Sequence, residues 1–171
     1  MPLLTSSVLV MSPLLPVSAA KWQASQQNFC SAAWHNRVMT SSHTPDSLVR
    51  EFISLLVSRD LEAAAAMVTD DFEYDNVPMG KSFGQSAIRD TLNGFFSMCT
   101  GIDWEILRQT SSGTLESGTV LNERDDRVEI HGRWATLPVA GVFEIHDGKI
   151  SLWRDYFDKQ TIIDVMTPPA G

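Results

Sequence analysis

At 171 residues, with 43% apolar and 20% charged side chains, the chain has the size and composition of one globular domain with a real core. Its net charge of −8 argues against a nonspecific nucleic-acid partner, which would need clustered Lys and Arg. No apolar run approaches the roughly 18–20 residues of a membrane span, so no membrane partner is expected. The two cysteines, Cys30 and Cys99, supply neither a metal-binding spacing nor a disulfide framework.

Residues 1–38 differ from the rest. They hold Lys21 and Arg37 and no acidic residue, a charge of +2, which leaves −10 on the remaining 133 residues. A secretory signal ending near Val17-Ser18-Ala19 is one reading. No basic residue precedes its apolar stretch, however, and Pro13 and Pro16 interrupt it. The preferred reading is an N-terminal extension, disordered, misassigned or cleaved, ahead of one domain spanning 39–171. A cytoplasmic location goes with it, secretion through residues 1–20 being the alternative.

From residue 39 the elements follow in order. Thr44 can cap a helix that Pro45 and Asp46 begin, and Leu48, Phe52, Leu55 and Leu56 give it an apolar stripe. Asp60 starts a short second helix running to Met67. Phe72 to Val77 reads as a strand stopped by Pro78. Gly84 to Met98 returns to helical spacing through Ile88, Leu92, Phe95 and Phe96. Strands are expected over 102–109, 119–130, 134–145 (bent near Pro138) and 150–157. Turns are expected at His131-Gly132 and Asp147-Gly148, and a last short helix at 161–165. Helices ahead of a long, largely antiparallel meander imply an α+β fold, a curved sheet closed by helices into a cone around one apolar pocket.

Strand parity then isolates a set of misplaced polar residues. Val120, Asn122, Arg124, Asp126, Val128 and Ile130 share the apolar face of one strand, with Thr119, Leu121, Glu123, Asp125, Arg127 and Glu129 on its solvent side; Phe72, Tyr74 and Asn76 share that of another, with Glu73 and Asp75 facing out. In the last strand Ser151, Trp153, Asp155 and Phe157 fall together, with Ile150, Leu152, Arg154 and Tyr156 opposite. Tyr74, Asn76, Arg124, Asp126 and Asp155 therefore point where burial is expected. A satisfied structural network, one Arg neutralising two carboxylates, explains the pattern as well as acid–base catalysis does. In the catalytic reading two aspartates bridged by one Arg hold different protonation states, and Tyr and Asn orient a water molecule. None of the four histidines, His35, His43, His131 and His146, falls on that face, which disfavours Ser-His-Asp chemistry and a His-based metal site. Arg154, on the opposite face, is expected to make a structural or interface pair.

Tyr74-Asp75-Asn76-Val77-Pro78, Glu123-Arg124-Asp125-Asp126, and Gly141 to Glu144 running on to Trp153-Arg154-Asp155-Tyr156-Phe157-Asp158 together resemble the limonene-1,2-epoxide hydrolase family, over about residues 44–166. The resemblance implies the cone fold of ketosteroid isomerase and nuclear transport factor two, a homodimer, and one-step hydrolysis of a lipophilic, limonene-1,2-epoxide-like epoxide without cofactor or metal. It assigns Asp155 as general base, Asp126 as general acid and Arg124 as the bridge between them. Tyr74 and Asn76, with Asp155, would hold the water. The family's pocket positions fall on Ile53, Leu56, Phe95, Val128, Leu137, Val139 and Phe157. Two other functions fit the same cone: an isomerase or cyclase needing a single base, and a non-catalytic module binding a lipophilic ligand.

Overall fold

A computed structural model describes residues 43–167 of the chain. The expectations for residues 1–38, with Cys30 and His35, lie outside the described residues. Helix α1 (Pro45–Val57) opens with a reciprocal capping box: Ser47 N donates to Thr44 Oγ1 at 3.2 Å, and Thr44 N donates to Ser47 Oγ at 2.8 Å. Leu48, Phe52 and Leu56 of the expected stripe are buried, and Ile53 with them, whereas Leu55 is only half-buried. Helix α2 (Leu61–Ala66) starts at Asp60, whose carboxylate accepts from Ala63 N. Strand β1 (Val68–Asn76) and the short β2 (Gly80–Phe83) form a hairpin, followed by helix α3 (Ser86–Met98). Strands β3 (Gly101–Gly113), β4 (Ser117–Ile130), β5 (Arg133–His146) and β6 (Lys149–Tyr156) form the meander, and helix α4 (Lys159–Met166) ends the described chain.

The six strands make one sheet in the order β2-β1-β6-β5-β4-β3. Only β1 and β6 pair in parallel, so the sheet is mixed, and the fold is the expected α+β cone. The β4–β5 and β5–β6 hairpins turn on two residues with positive φ, His131-Gly132 and Asp147-Gly148, the backbone that the right-handed twist of a two-residue hairpin demands. Pro138 does not break β5. It lies on β5 where pairing with β6 has not yet begun, Ala140 opposite Tyr156 being the first pair, so its missing N–H breaks no bond of that ladder.

Four expectations need correction. The β2 strand has no counterpart among the expected elements, because four residues, Gly80-Lys81-Ser82-Phe83, carry no period of their own and are held by pairing with β1. The β3–β4 hairpin is longer than expected. Thr110, Ser111 and Ser112 have no strand signature, but they pair with Leu121, Val120 and Thr119 across the ladder. On β6 the alternation breaks between Glu144–Leu152 and Ile145–Ile150, a bulge that absorbs Ser151. Ile150 is therefore fully buried instead of facing outward. Asp75 was expected to face solvent; it does lie on the outer side, but Arg154 and Lys81 cover it.

Two apolar clusters result. One, built on α1, α2, α3 and the sheet, centres on Phe52, Phe72, Phe143 and Trp153. The other gathers Val128, Ile130, Leu137 and Val139 beneath Ile162 and Val165 of α4. Among the described residues no helix is long and apolar enough to cross a membrane.

Candidate active site

Strands β1, β4 and β6 deliver the five parity-selected residues to one place. Asn76 lies opposite Asp155 in the β1–β6 register, and Tyr74 opposite Trp153. Arg124 is completely buried, and Asp126 and Asp155 are only 6% and 4% exposed. The guanidinium holds both acids: Nε donates to Asp126 Oδ1 at 3.1 Å, and Nη2 donates to Asp126 Oδ2 at 3.1 Å and to Asp155 Oδ2 at 2.7 Å. The shortest of these bonds goes to Asp155. Arg124 also lies over the Phe143 ring, 5.9 Å from its centroid.

Tyr74 and Asn76 are coupled to each other, Asn76 Nδ2 donating to Tyr74 Oη at 2.8 Å. The Tyr74 ring stacks on Trp153 with centroids 4.3 Å apart, and Trp153 packs edge-on against Phe52 at 5.3 Å. Burial, with Asp155 beside it, pushes the Tyr74 phenol well above its ordinary range, so the hydroxyl stays protonated. Its oxygen accepts from Asn76 while its hydrogen remains available to donate.

One cation between two buried carboxylates leaves the group short by one positive charge. Burial, the largest influence, pushes Asp126 up from 3.8 to about 6. The Asp155 and Asp125 carboxylates add to the rise, and Arg124 opposes it. Arg124 itself is held above its ordinary range: burial disfavours its charge, but attraction to Asp155 and Asp126 overrides this. Asp155 Oδ1 is buried and finds no hydrogen-bond partner among the described residues, so acceptor capacity remains on that carboxylate.

Above the two aspartates opens a mostly apolar cavity of about 310 Å³, with Tyr74, Asn76, Asp126 and Asp155 in its wall. Of the expected pocket positions, Phe95, Val128, Leu137 and Phe157 line it. Ile53, Leu56 and Val139 do not. Ile53 and Leu56 are spent packing α1 into the core around Phe52 and Trp153, and Val139 lies in the cluster beneath Ile162 and Val165. Met79, Thr91, Leu92, Met98, Trp104, Ile162 and Met166 complete the wall without having been anticipated. Leu92 was visible in the α3 stripe, and the i,i+4 spacing of Ile162 and Met166 was there to be read. Met79 depends on the unanticipated β1–β2 hairpin. Trp104 reaches the site because it pairs with Asp126 across the β3–β4 ladder.

Two further residues were given no role by the sequence. Asn122 lay on the inward face by parity but received no role; its Oδ1 accepts from Arg124 Nη1 at 2.9 Å. Gly141 stands between Asn122 and Asp155 in the β4–β5–β6 registers. A Cβ there would collide with Arg124 Nη1 and Asn122 Oδ1 and lie 3.1 Å from Asp155 Oδ1, so only glycine leaves room for the guanidinium. Among the described residues no three His, Cys, Asp or Glu side chains are grouped to hold a metal ion.

The cone fold that carries this site is also what comparison with known proteins returns. The model of the limonene-1,2-epoxide hydrolase catalytic domain matches residues 44–167, and the chain belongs to that family. Epoxide hydrolase EphG of Mycobacterium tuberculosis (strain ATCC 25618 / H37Rv) is 34% identical over 110 residues, covering 64% of this chain and 70% of its own. The solved structure of an M. tuberculosis LEH-like epoxide hydrolase superposes with a TM-score of 0.55 at 31% identity, covering 70% of this chain and 86% of that one. A protein of ketosteroid isomerase-like fold from Catenulispora acidiphila DSM 44928 reaches a TM-score of 0.62 at 17% identity, over 74% and 96% of the two chains, a likeness of fold alone.

Proposed function

We propose that the protein adds water to a lipophilic cyclic or terpenoid epoxide, limonene-1,2-epoxide-like, giving a vicinal diol in one step without cofactor or metal. The observation that carries this reading is the unequal pair of aspartates on Arg124: Asp126 raised to about 6 by burial, Asp155 holding the shorter bond to the cation. Family membership supports the reaction class.

In this reading Asp155 acts as a carboxylate and takes a proton from a water held with it by Tyr74 and Asn76. The water oxygen attacks one epoxide carbon as that carbon's bond to the ring oxygen breaks. Asp126, protonated, delivers its proton to the leaving oxygen. Return of a proton from Asp155 to Asp126 resets the site, and the net change is addition of one water. Arg124 keeps the two acids in register and stays charged throughout. The apolar wall suits a hydrocarbon epoxide and keeps bulk water from the activated one. The outward sheet face, where Leu121, Trp134 and Tyr156 are exposed, suits a homodimer.

Turnover of a panel of cyclic epoxides in ¹⁸O-water tests the reading. The first turnover should give a diol carrying one solvent ¹⁸O. A diol whose first-turnover oxygen comes from the protein would indicate an ester intermediate and contradict the one-step route. No turnover of any epoxide, alongside isomerisation of an enone, would favour an isomerase on the same cone.

A further inference from the structure

Arg124 has a fourth partner that the reaction scheme leaves unused, and behind that partner runs a chain of hydrogen bonds. Arg124 Nη1 donates to Asn122 Oδ1 at 2.9 Å. Asn122 Nδ2 donates to Gln109 Oε1 at 3.2 Å, the two residues being partners in the β3–β4 register. Gln109 Nε2 donates to Asp46 Oδ1 at 2.8 Å and to the Asp46 carbonyl at 2.9 Å. Asp46, in the first turn of α1, also pairs with Arg50 at 2.9 Å. Each amide in this chain could be turned over in isolation, but the ends remove the choice. A cation at one end can only donate, and a carboxylate and a carbonyl at the other can only accept. Asn122 must therefore present its oxygen to Arg124, and Gln109 must present its nitrogen to Asp46.

We infer that Asn122 is a positioning residue for the site, and that Gln109, anchored on Asp46, fixes Asn122 in turn. The guanidinium is planar, so a bond at Nη1 sets the plane in which Nε and Nη2 reach the aspartates. Without it the group can turn toward either acid, and the division of one cation between two carboxylates changes. A neutral amide suits the task. It anchors Nη1 without adding a third negative charge, and Gly141 leaves the space in which the anchor fits.

The inference rests on the hydrolase reading for its kinetic consequence but not for its electrostatic one, so both are measured. Gln109→Met is the clean variant: it is neutral, half-buried on the far side of Asn122, and touches neither Arg124 nor either aspartate. Epoxide turnover by Gln109→Met should fall about three- to tenfold in kcat with KM within about twofold, and by Asn122→Ala about tenfold or more, as expected when a reacting group is slightly misplaced. In ¹³C-aspartate-labelled protein, the carboxyl titration assigned to Asp126 should move in both variants, by about 0.3 pH units or more. Asn122→Asp, which adds a third negative charge beside Arg124, should move it upward. If Asn122→Ala does not fold, Gln109→Met carries the test. Folded Gln109→Met with unchanged kcat, pH profile and Asp126 titration would overturn the inference. A wild type that turns over no epoxide would overturn the hydrolase reading alone, and the titration would still decide this one.

Discussion

Adjacent residues on β6 belong to two different ionic networks, one on each face of the sheet. On the outer face Arg154 donates from Nε to Asp75 at 2.6 Å and reaches Glu73 at 3.3 Å, and Lys81 pairs with the same two acids at 3.3 and 2.6 Å. On the inner face, among the described residues, Arg124 alone pairs with Asp126 and Asp155. The exposed fractions of Asp75 and Asp126 are identical at 6%, yet their acidities move in opposite directions. Asp75 is covered only by its own partners near the surface; the burial cost, its largest single influence, is overridden by Arg154 and Lys81, and the carboxyl is held below its ordinary range. Asp126 lies deep in the fold with half a cation's attention, and burial wins. Two cations for two anions make a staple that joins β1, β2 and β6. One cation for two anions leaves Asp126 a carboxyl that binds a proton more readily than usual, as the proposed acid catalysis requires.

The contrast can be broken most directly at the inner acids. Asp155→Asn and Asp126→Asn should each cost about 10²–10⁴ in turnover while the circular dichroism spectrum is kept, because in the proposed reaction each removes one proton-transfer partner. Arg154→Gln on the outer face should leave turnover within about twofold. Next in size is Arg124→Gln. It leaves two buried carboxylates without their cation, and denaturant unfolding at neutral pH should show a loss of about 3–5 kcal/mol.

A smaller effect has a definite sign. An Asp whose folded pKa is raised from 3.8 to about 6 binds a proton more readily folded than unfolded. The folded state gains from that proton at low pH and loses the gain as pH rises through this window. The stability of wild type relative to Asp126→Asn should therefore fall by on the order of 2–3 kcal/mol between about pH 4 and pH 7. Asp75 works in reverse: its depressed pKa stabilises the fold above its unfolded value, and that stability is lost toward acid. Last, Arg154→Gln should cost about 1 kcal/mol or less in unfolding free energy, the range of partly exposed ion pairs.

Much of this contrast was legible as strand parity. Alternation alone put Arg124 and Asp126 inward, Glu123 and Arg127 outward, and split Arg154 from Asp155. The cone followed from element order. Parity cannot see a bulge, and Ser151 shows the cost: one inserted residue sends Ile150 to the opposite face. It also cannot tell which inward residues meet the cavity. Ile53 and Leu56 have the same hydrophobicity and helical spacing as true wall residues, and only the packing of α1 on Phe143 and Trp153 separates them. Asn122 was on the correct face but silent, because its role lies in what Arg124 does with its remaining nitrogen. Gly141 was legible only as part of a family segment and without a role; its meaning is the volume that it leaves for another residue's side chain.

A single ¹³C carboxyl titration, with Asp126 and Asp75 assigned by their Asn variants, reads both faces of the sheet in one experiment. The expected result is an Asp126 midpoint near 6, well above that of Asp75, which titrates below the usual carboxylate range. An Asp126 that titrated together with Asp75 would mean that Arg124 satisfies both inner acids, and the site would then be a second staple with no proton to give.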